Sequence, residues 1–324
     1  GVDAGFFNNR LNVTFDVYQR RNFDEIAPTV TQLYGTVYAN VGSMKSWGEE
    51  LSISSTNVKT NDFSWQTSLI YSHNRTEITD LYNQGRVIDL VQGNGFAKQG
   101  YPARALFSIP FVGINEKGNP VCINEKGQAT VGDLNFQERD NTDYLIYEGS
   151  TDPIYNGSLG NTFNYKGFHL NLFLTYAFGN VVRLDPVFSA KYNDLTSMTH
   201  DFKNRWMQPG DENVTNVPGV VSRYEYEQNR TLLSTAYNAY NYTSVRTAKG
   251  DFIRLKEISL AYDFPHRWLE NSPVNNISLK LQATNLMLLY ADKKLNGQDP
   301  EFMNAGGVAS PMPKQFTLTL KLGL

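Results

Sequence analysis

Side chains that could catalyse a reaction are few in this sequence, and their spacing matches no catalytic motif. The sequence contains none of the patterns HExxH, GxSxG, GxGxxG or the phosphate-binding GxxxxGK(S/T). Glu49 and Glu50 are adjacent, so a strand would point them to opposite faces and could not pair them for acid–base work. Cys122 is the only cysteine, which excludes an intramolecular disulfide and a thiolate metal cluster. Four histidines lie far apart: His73, His169, His200 and His266. We therefore predict no catalytic residue, no metal site, no cofactor and no enzymatic activity.

The residues best suited to contact a ligand lie in the segment 180–249, which is rich in tyrosine. Exposed Tyr and Trp rings offer stacking area with a polar handle, which suits sugar rings or peptides. The same rings could instead pack the segment against its neighbours or against a partner protein. The predicted substrate or partner contacts are Arg205, Trp206, Tyr224, Tyr226, Tyr237, Tyr240 and Tyr242.

The elements that must position this segment are strands in which apolar and polar residues alternate. One face of the last strand carries Phe316, Leu318, Leu320, Leu322 and Leu324. Side chains alternate between the two faces of a strand, so this strand has one apolar and one polar side. We predict strands over 1–6, 11–18, 41–55, 62–74, 154–165, 168–179, 250–263, 276–289 and 313–324. The alternation changes phase within 250–263, which predicts either a bulge or a strand that leaves the bilayer.

The connections alternate in length along the chain. Long connections are predicted at 22–40, 75–153, 180–249 and 290–312, and short ones at 7–9, 56–61, 165–167 and 264–275. Outer-membrane barrels have short periplasmic turns and long external loops, so the C-terminus is expected in the periplasm and the long loops outside the cell. The segment 103–115 also resembles a strand, but one more crossing would break this parity, so we assign it to loop structure or to an external extension of the wall.

Nine spanning strands are too few to stand alone. Bacterial barrels normally have an even number of strands, and an open sheet edge is not viable in a bilayer. The start GVDAGFF shows no signal peptide and reads as the end of a strand. We therefore expect residues 1–324 to be the C-terminal part of a longer antiparallel transmembrane β-barrel.

Composition agrees with this class and excludes others. The net charge is −3, which gives no electrostatic reason to expect nucleic acid as a partner. No apolar run approaches the roughly 18 residues of a spanning helix. Lys280 and Lys321 fall opposite the leucines of their strands and are predicted to face the lumen, since Arg or Lys on the lipid face costs about 2–4 kcal/mol near the midplane.

Several segments resemble, in order along the chain, the SusC/RagA-type TonB-dependent outer-membrane transporters of Bacteroidetes. The most specific is TDPIYNGSLGNTFNYKGFHLNLFLTYAFGN at 151–180. The others are NVGSMKSWGEELSIS at 40–54, RWMQPGDENVTNVP at 205–218, GDFIRLKEISLAYDFP at 250–265, ATNL at 283–286, QDPE at 298–301 and PMPKQFTLTLKLGL at 311–324. Leu324 departs from the family, which usually ends in an aromatic residue read by the barrel-assembly machinery.

The resemblance implies a 22-stranded barrel filled by an N-terminal plug that this chain lacks. It implies a SusD-like surface lipoprotein that acts as a lid. The predicted contact residues between 205 and 242 would then contact either the substrate or this lid. It implies import of oligosaccharides or peptides energised by the TonB complex through the missing N-terminal part. The alternatives are a passive porin, a siderophore receptor, or a secreted β-rich glycan-binding or hydrolase domain whose leucines would line a globular core.

Overall fold

The computed structural model describes residues 1–31, 35–186, 188–192, 195, 197–270, 273–303 and 313–323. The strands are β1 (Val2–Phe6), β2 (Leu11–Thr31), β3 (Gly35–Lys59), β4 (Phe63–Leu81), β5 (Ala105–Ser108), β6 (Phe111–Ile114), β7 (Pro120–Ile123), β8 (Ala129–Thr130), β9 (Ile146–Ser150), β10 (Tyr155–Tyr165), β11 (Phe168–Phe178), β12 (Val181–Arg183), β13 (Thr247–Lys249), β14 (Phe252–Asp263), β15 (Asn276–Ala291) and β16 (Gln315–Gly323). The α-helices are α1 (Val87–Val91), α2 (Arg223–Gln228) and α3 (Arg230–Asn241).

Nine strands form one antiparallel sheet in the order β1-β2-β3-β4-β10-β11-β14-β15-β16. Each strand pairs with the strands before and after it in this series, and the neighbours are therefore joined without a crossover. All nine predicted strands are confirmed. In the described part of the chain β1 and β16 each have one partner, so the sheet is not closed.

The apolar residues of successive strands are aligned by the register into one continuous face. Phe163 lies opposite Leu170, Leu170 opposite Leu260, Leu260 opposite Leu281, and Leu281 opposite Leu318. The side chains of Leu281 and Leu318 are 55% and 68% exposed, so the described residues leave the apolar face uncovered there. In the other direction the face continues through Leu159, Leu69, Ile53, Val13 and Ala4.

Aromatic rings mark the two ends of the apolar face. At the end with the short turns lies the turn-end aromatic band: Tyr165, Phe168, Tyr262, Phe264 and Trp268. At the opposite end lies the loop-end aromatic band: Tyr71, Tyr155, Tyr176, Phe178 and Tyr290. Between the two bands the face is mainly aliphatic.

The opposite face of the sheet is polar. It carries Asp16, Glu50, Ser158, Lys280 and Lys321, which alternate with residues of the apolar face along their strands. Lys280 and Lys321 therefore lie on the side away from the leucines, as expected.

The predicted bulge lies at Lys256. The pairing of β14 with β15 passes from Leu255 directly to Glu257, and the pairing with β11 shifts at the same point. The extra residue compensates for the change of phase in the sequence. As a result Leu255 and Ile258, which are three positions apart, both lie on the apolar face.

The predicted long connection 22–40 is wrong. β2 continues to Thr31 and β3 begins at Gly35, and the two strands pair along most of this length. They are 21 and 25 residues long, about twice the 9–11 residues that cross a bilayer. Register shifts between Asn22 and Ile26 interrupt the period of two, so the alternation that reveals a half-buried strand is lost in this part.

The segments 82–151 and 180–250 pack together into a compact unit, which we call the loop body. Its core includes Val87, Leu90, Phe107 and Ile109 from the first segment and Ala239 of α3 from the second. The segment 103–115 contributes β5 and β6 to two small sheets of the loop body, β5-β9 and β6-β7-β8, which confirms its assignment to loop structure. Among the described residues, no helix is both long and apolar enough to cross a membrane.

Candidate ligand and partner surface

Two of the predicted contact residues are buried on α3. Its sequence places Leu233, Ala236, Tyr237 and Tyr240 on one helical face, and all four side chains are almost inaccessible. The hydroxyl of Tyr237 donates a hydrogen bond to the carbonyl of Gly219. Burial raises the pKa of both tyrosines. In this chain their rings therefore pack inside the loop body. This is the second of the two roles considered for them in the sequence, packing against neighbours rather than contacting a ligand.

Tyr240 lies at the centre of an aromatic cluster. Its ring meets Phe111 and Phe188 edge to face, with centroids 5.7 and 5.2 Å apart. Tyr242, at the end of α3, contacts Phe136 in the same manner at 6.1 Å. The carbonyl of Tyr242 accepts a hydrogen bond of 3.0 Å from the amide of Ile109, which ties α3 to the first segment of the loop body.

The tyrosines of α2 are placed differently. Ser222 caps this helix by accepting a hydrogen bond of 3.1 Å from the amide of Glu225. Tyr224 points to solvent with 79% of its surface exposed, and Leu232 beyond it on α3 is 43% exposed. Tyr226 is half-buried, with its hydroxyl 3.0 Å from the hydroxyl of Ser234. Tyr224 is therefore the predicted ring most available to a partner.

Arg205 and Trp206 belong to a tightly folded turn. The indole Nε1 of Trp206 donates to a carboxylate oxygen of Glu212 at 3.0 Å, and this bond lowers the pKa of Glu212. The indole lies so close to Gly118 and Gly219 that a Cβ atom at either position would clash with it. The guanidinium of Arg205 lies 4.6 Å from the ring centre of Phe202. Much of the Trp206 ring is thus used within the loop body.

Three arginines are buried among the described residues, none of them a predicted contact, and two of the three join distant parts of the structure. Arg183 donates to the carbonyls of Phe107 at 2.6 Å and Thr243 at 2.7 Å, and also to the hydroxyl of Ser108. Its burial lowers its pKa to about 10. Both halves of the loop body are thereby bound to one side chain at the end of β12.

The second buried arginine is Arg254 on the polar face of β14. Its Nη2 lies 2.5 and 2.6 Å from the two carboxylate oxygens of Asp299, and its Nε lies 3.1 Å from Glu301. Arg254 belongs to the GDFIRLKEISLAYDFP segment and both acids belong to QDPE, so two motifs that are distant in sequence meet here. Both motifs are recognisable in the sequence, but nothing in the sequence indicates that they pair.

In the part of the chain that the structure describes, one polar group contains a histidine and a carboxylate. His169 lies 2.9 Å from Asp263, which also accepts a hydrogen bond from the hydroxyl of Ser278, and 2.6 Å from Asn164. Both ring nitrogens of His169 therefore have partners, which leaves neither free to activate a nucleophile. In the described ranges, no group of three His, Cys, Asp or Glu residues could hold a metal ion. Burial raises the pKa of the Cys122 thiol to about 12, which makes it a poor nucleophile. The arrangement is suited to binding at exposed rings of the loop body.

The chain was compared with known proteins. No protein-family model matches it. The TonB-dependent receptor SusC of Bacteroides thetaiotaomicron is 26% identical, covering 100% of this chain and 31% of SusC. The TonB-dependent receptor P3 of Formosa agariphila is 25% identical, covering 93% of this chain and 30% of that receptor. The chain is similar to SusC-type TonB-dependent receptors.

This confirms the resemblance that the sequence motifs indicated, and a solved SusC-like fold agrees with it. The structure of the RagAB peptide transporter matches with a TM-score of 0.74 at 23% identity, over 99% of this chain and 34% of that chain. At that identity the likeness shows the fold alone. The chain spans about a third of the length of the SusC-type relatives it matches.

The most specific SusC-type segment, 151–180, forms the β10–β11 hairpin. Lys166 and Gly167 have φ angles of 45° and 85°, as a two-residue turn matched to the twist of the strands requires. Asn161 accepts hydrogen bonds from the indole of Trp65 at 2.9 Å and the hydroxyl of Thr67 at 2.8 Å. The motif residues therefore shape the sheet, and the exposed rings of the loop body are left as the candidate contacts.

Proposed function

We propose that this chain is the C-terminal part, about nine strands, of a 22-stranded outer-membrane barrel that imports oligosaccharides or peptides with energy from TonB. The observation that carries the proposal is the apolar face, which runs across nine strands and is uncovered. A globular domain would bury such a face against a second layer, because exposed apolar area of this extent is unfavourable in water. Lipid is the environment in which it is stable.

The dimensions of the apolar face support a bilayer. Phe168 and Phe178 lie at opposite ends of the 11-residue strand β11, in the turn-end and loop-end bands. Ten steps of about 3.4 Å give about 34 Å along the strand. A strand tilt of about 40° reduces this to a height of about 26 Å, close to the roughly 25 Å apolar band between aromatic girdles of outer-membrane barrels. We take the two aromatic bands as those girdles.

A cluster of polar side chains near the middle of the face is hydrogen-bonded internally. The amide oxygen of Asn161 is shared by Trp65 and Thr67, and the Thr67 hydroxyl also accepts a bond of 2.7 Å from Asn57. Groups that bond to one another in this way are tolerated in hydrocarbon, whereas unpaired groups cost several kcal/mol. The cluster is therefore compatible with a lipid-facing surface.

The orientation follows from the lengths of the connections. The turns at 60–62 and 166–167 would be periplasmic, and the loop body would lie outside the cell with the C-terminus in the periplasm. The polar face with Lys280 and Lys321 would line the lumen and meet the N-terminal plug. Leu324 and residues 304–312 lie outside the described residues, so the role of the last residue in assembly stays a prediction from the sequence.

The loop body would carry the contacts with substrate and with a SusD-like lipoprotein lid. RagAB is described as a peptide transporter and importer, and SusC is named as a TonB-dependent receptor. Of the predicted contacts, Tyr224 is the most exposed, followed by the partly exposed Arg205, Trp206 and Tyr226. The buried Tyr237 and Tyr240, together with Tyr242, would act by holding this surface in place.

A transport assay tests the proposal. Cells that express the full-length protein should take up the oligosaccharides or peptides of its substrate class, and deletion of TonB should abolish uptake. Uptake that persists without TonB would indicate a passive porin. Uptake of iron chelates alone would indicate a siderophore receptor, and recovery of the full-length protein in the soluble fraction would support the secreted domain.

A lid contact at Tyr224 can be tested separately. Tyr224→Ala should weaken co-purification of a surface lipoprotein with the full-length protein. Tyr82→Ala is the matched control, because Tyr82 is also a strongly exposed tyrosine (63%) but lies just after β4, away from α2. Equal retention of the lipoprotein by both variants would refute a contact at Tyr224.

A further inference from the structure

A groove with a cavity of about 560 Å³ lies beyond the loop-end aromatic band. It is bordered by the middle of β3 at Trp47, by residues 74–77 of β4, and by residues 100–102 and 147–154. Its walls include Trp47, Arg75, Tyr101 and Tyr147. We call it the Arg75 groove.

The register places the Arg75 groove on the side of the apolar face. Tyr71 lies opposite Leu51, and four positions further along β4 Arg75 lies opposite Trp47. Even steps along a strand keep the same face, so Arg75 and Trp47 continue the surface on which Tyr71 and Leu51 lie. With the tilt used above, four residues raise Arg75 about 10 Å above the ring of Tyr71. If the proposed function is right, this is the level of the lipid headgroups.

The charges around the groove leave one cation available. Lys45 is paired with Glu77 at 2.8 Å, and Arg104 with Asp152 at 2.6 Å. Arg75 is exposed, and within the described ranges it makes no hydrogen bond or ion pair. Its guanidinium lies near Tyr147, since the two groups interact electrostatically. An unpaired guanidinium in a groove that is also lined by Trp47, Tyr101 and Tyr147 is suited to a bidentate contact with a phosphate.

We infer that the Arg75 groove binds the phosphate-bearing headgroup of a membrane lipid, an inference that rests on the proposed membrane location. The positive charge of Arg75 complements the phosphate. Trp47 and Tyr147 offer apolar surface that continues from the lipid-facing band toward the headgroup, as aromatic residues do at membrane interfaces. Lys45, whose ammonium lies 5.4 Å from the Trp47 ring, is neutralised by Glu77, so Arg75 supplies the positive charge of the groove.

A lipid accounts for this surface better than the other occupants. A free phosphate ion would contact Arg75, but it would leave the aromatic rings and the adjoining apolar band without a partner. A second copy of the chain or a partner protein would have to present an anionic group directly beside an apolar surface, in order to match the exposed cation next to the hydrophobic band. The lipid supplies both the anion and the acyl chains from the same molecule.

The main comparison is between three forms of the full-length protein purified in detergent, wild type, Arg75→Gln and Arg20→Gln, and Arg75→Lys serves as an additional rescue variant. Arg20 is the matched control, because it is an exposed arginine opposite Ser46, next to Trp47 but on the other face of the sheet. Phospholipid and phosphorylated glycolipid retained per protein are counted by native mass spectrometry. Wild type and Arg20→Gln should retain lipid equally. Arg75→Gln should bind roughly tenfold more weakly, as expected for loss of a charge-assisted contact, and Arg75→Lys should recover part of the binding.

The remaining outcomes separate the inference from the proposed function. Heat-modifiable migration in electrophoresis reports a folded barrel in all three forms, and its absence would overturn the proposed function itself. A folded barrel in which Arg75→Gln retains as much lipid as wild type would overturn the lipid site alone. Displacement of the lipid signal by inorganic phosphate at equal potency would indicate an anion site only. A change of oligomeric state in Arg75→Gln with unchanged lipid would assign the groove to a second copy.

Discussion

A single charge placed on either face of the same strand should reveal which face meets lipid. Leu159 and Ser158 are neighbours on β10. Leu159 lies on the apolar face between Leu69 and Leu174, whereas Ser158 lies on the polar face opposite Thr175. We predict that Leu159→Lys strongly destabilises the full-length protein in a bilayer and that Ser158→Lys does not.

The magnitude follows from the depth of Leu159. Four residues separate it from Tyr155 in the loop-end band, which corresponds to about 10 Å of height and places it within about 3 Å of the midplane. Lys on the lipid face at the midplane costs about 2–4 kcal/mol, so this range is expected for Leu159→Lys. Ser158→Lys should change the free energy of unfolding by less than about 1 kcal/mol, because Ser158 is a half-buried residue on the polar face, away from the apolar residues of its strand.

The assay is guanidinium unfolding of the full-length protein in bilayers, followed by heat-modifiable migration. The free energy of unfolding of Leu159→Gln should fall between those of the two lysine variants. This variant provides a measurable destabilisation if Leu159→Lys fails to insert. Equal destabilisation by Leu159→Lys and Ser158→Lys would refute the assignment of faces. A larger effect of Ser158→Lys would indicate that the apolar face is a protein core and the other face a buried interface.

Three further predictions concern the loop body and its anchors. Cys122 should resist maleimide in the native full-length protein and react after unfolding, because it is 2% exposed and its pKa is raised to about 12; rapid native labelling would contradict this. Asp299→Ala leaves Arg254 buried with only Glu301 as an acidic neighbour, so it should lower the free energy of unfolding by about 3 kcal/mol. Asp299→Asn should lower it by less. Equal losses in the two variants would show that the charge of the pair is irrelevant. Gly118→Ala forces a Cβ toward the neighbouring indole at a φ of 79° and should speed limited proteolysis of the loop body, and unchanged cleavage would contradict the close contact.

The nine strands could be predicted because each has to present an apolar face with a period of two. Leu281 and Leu318, for example, alternate with polar residues over 277–284 and 315–322, and the register places them side by side. The long pairing of β2 with β3 could not be predicted. It runs beyond the apolar band of the sheet and contains register shifts, so no periodic signal survives between Asn22 and residue 40.

The loop body was only partly accessible to sequence reasoning. Leu233, Ala236, Tyr237 and Tyr240 recur at the spacing of a helix, a signal that could have predicted their burial on α3. The tyrosine content of the segment drew attention to binding instead. The pairing of Arg254 with the acid 45 residues away could not be found, because a single sequence carries no sign of which distant charges meet.

The central claim is that these nine strands are the wall of a closed barrel whose apolar face contacts lipid. A cryo-electron microscopy map of the full-length protein in lipid nanodiscs tests it most directly. We predict that β1 and β16 each pair with a further strand and that lipid density covers the face between Phe168 and Phe178. A map in which that face packs against protein, or in which β16 has a free edge, would contradict the claim.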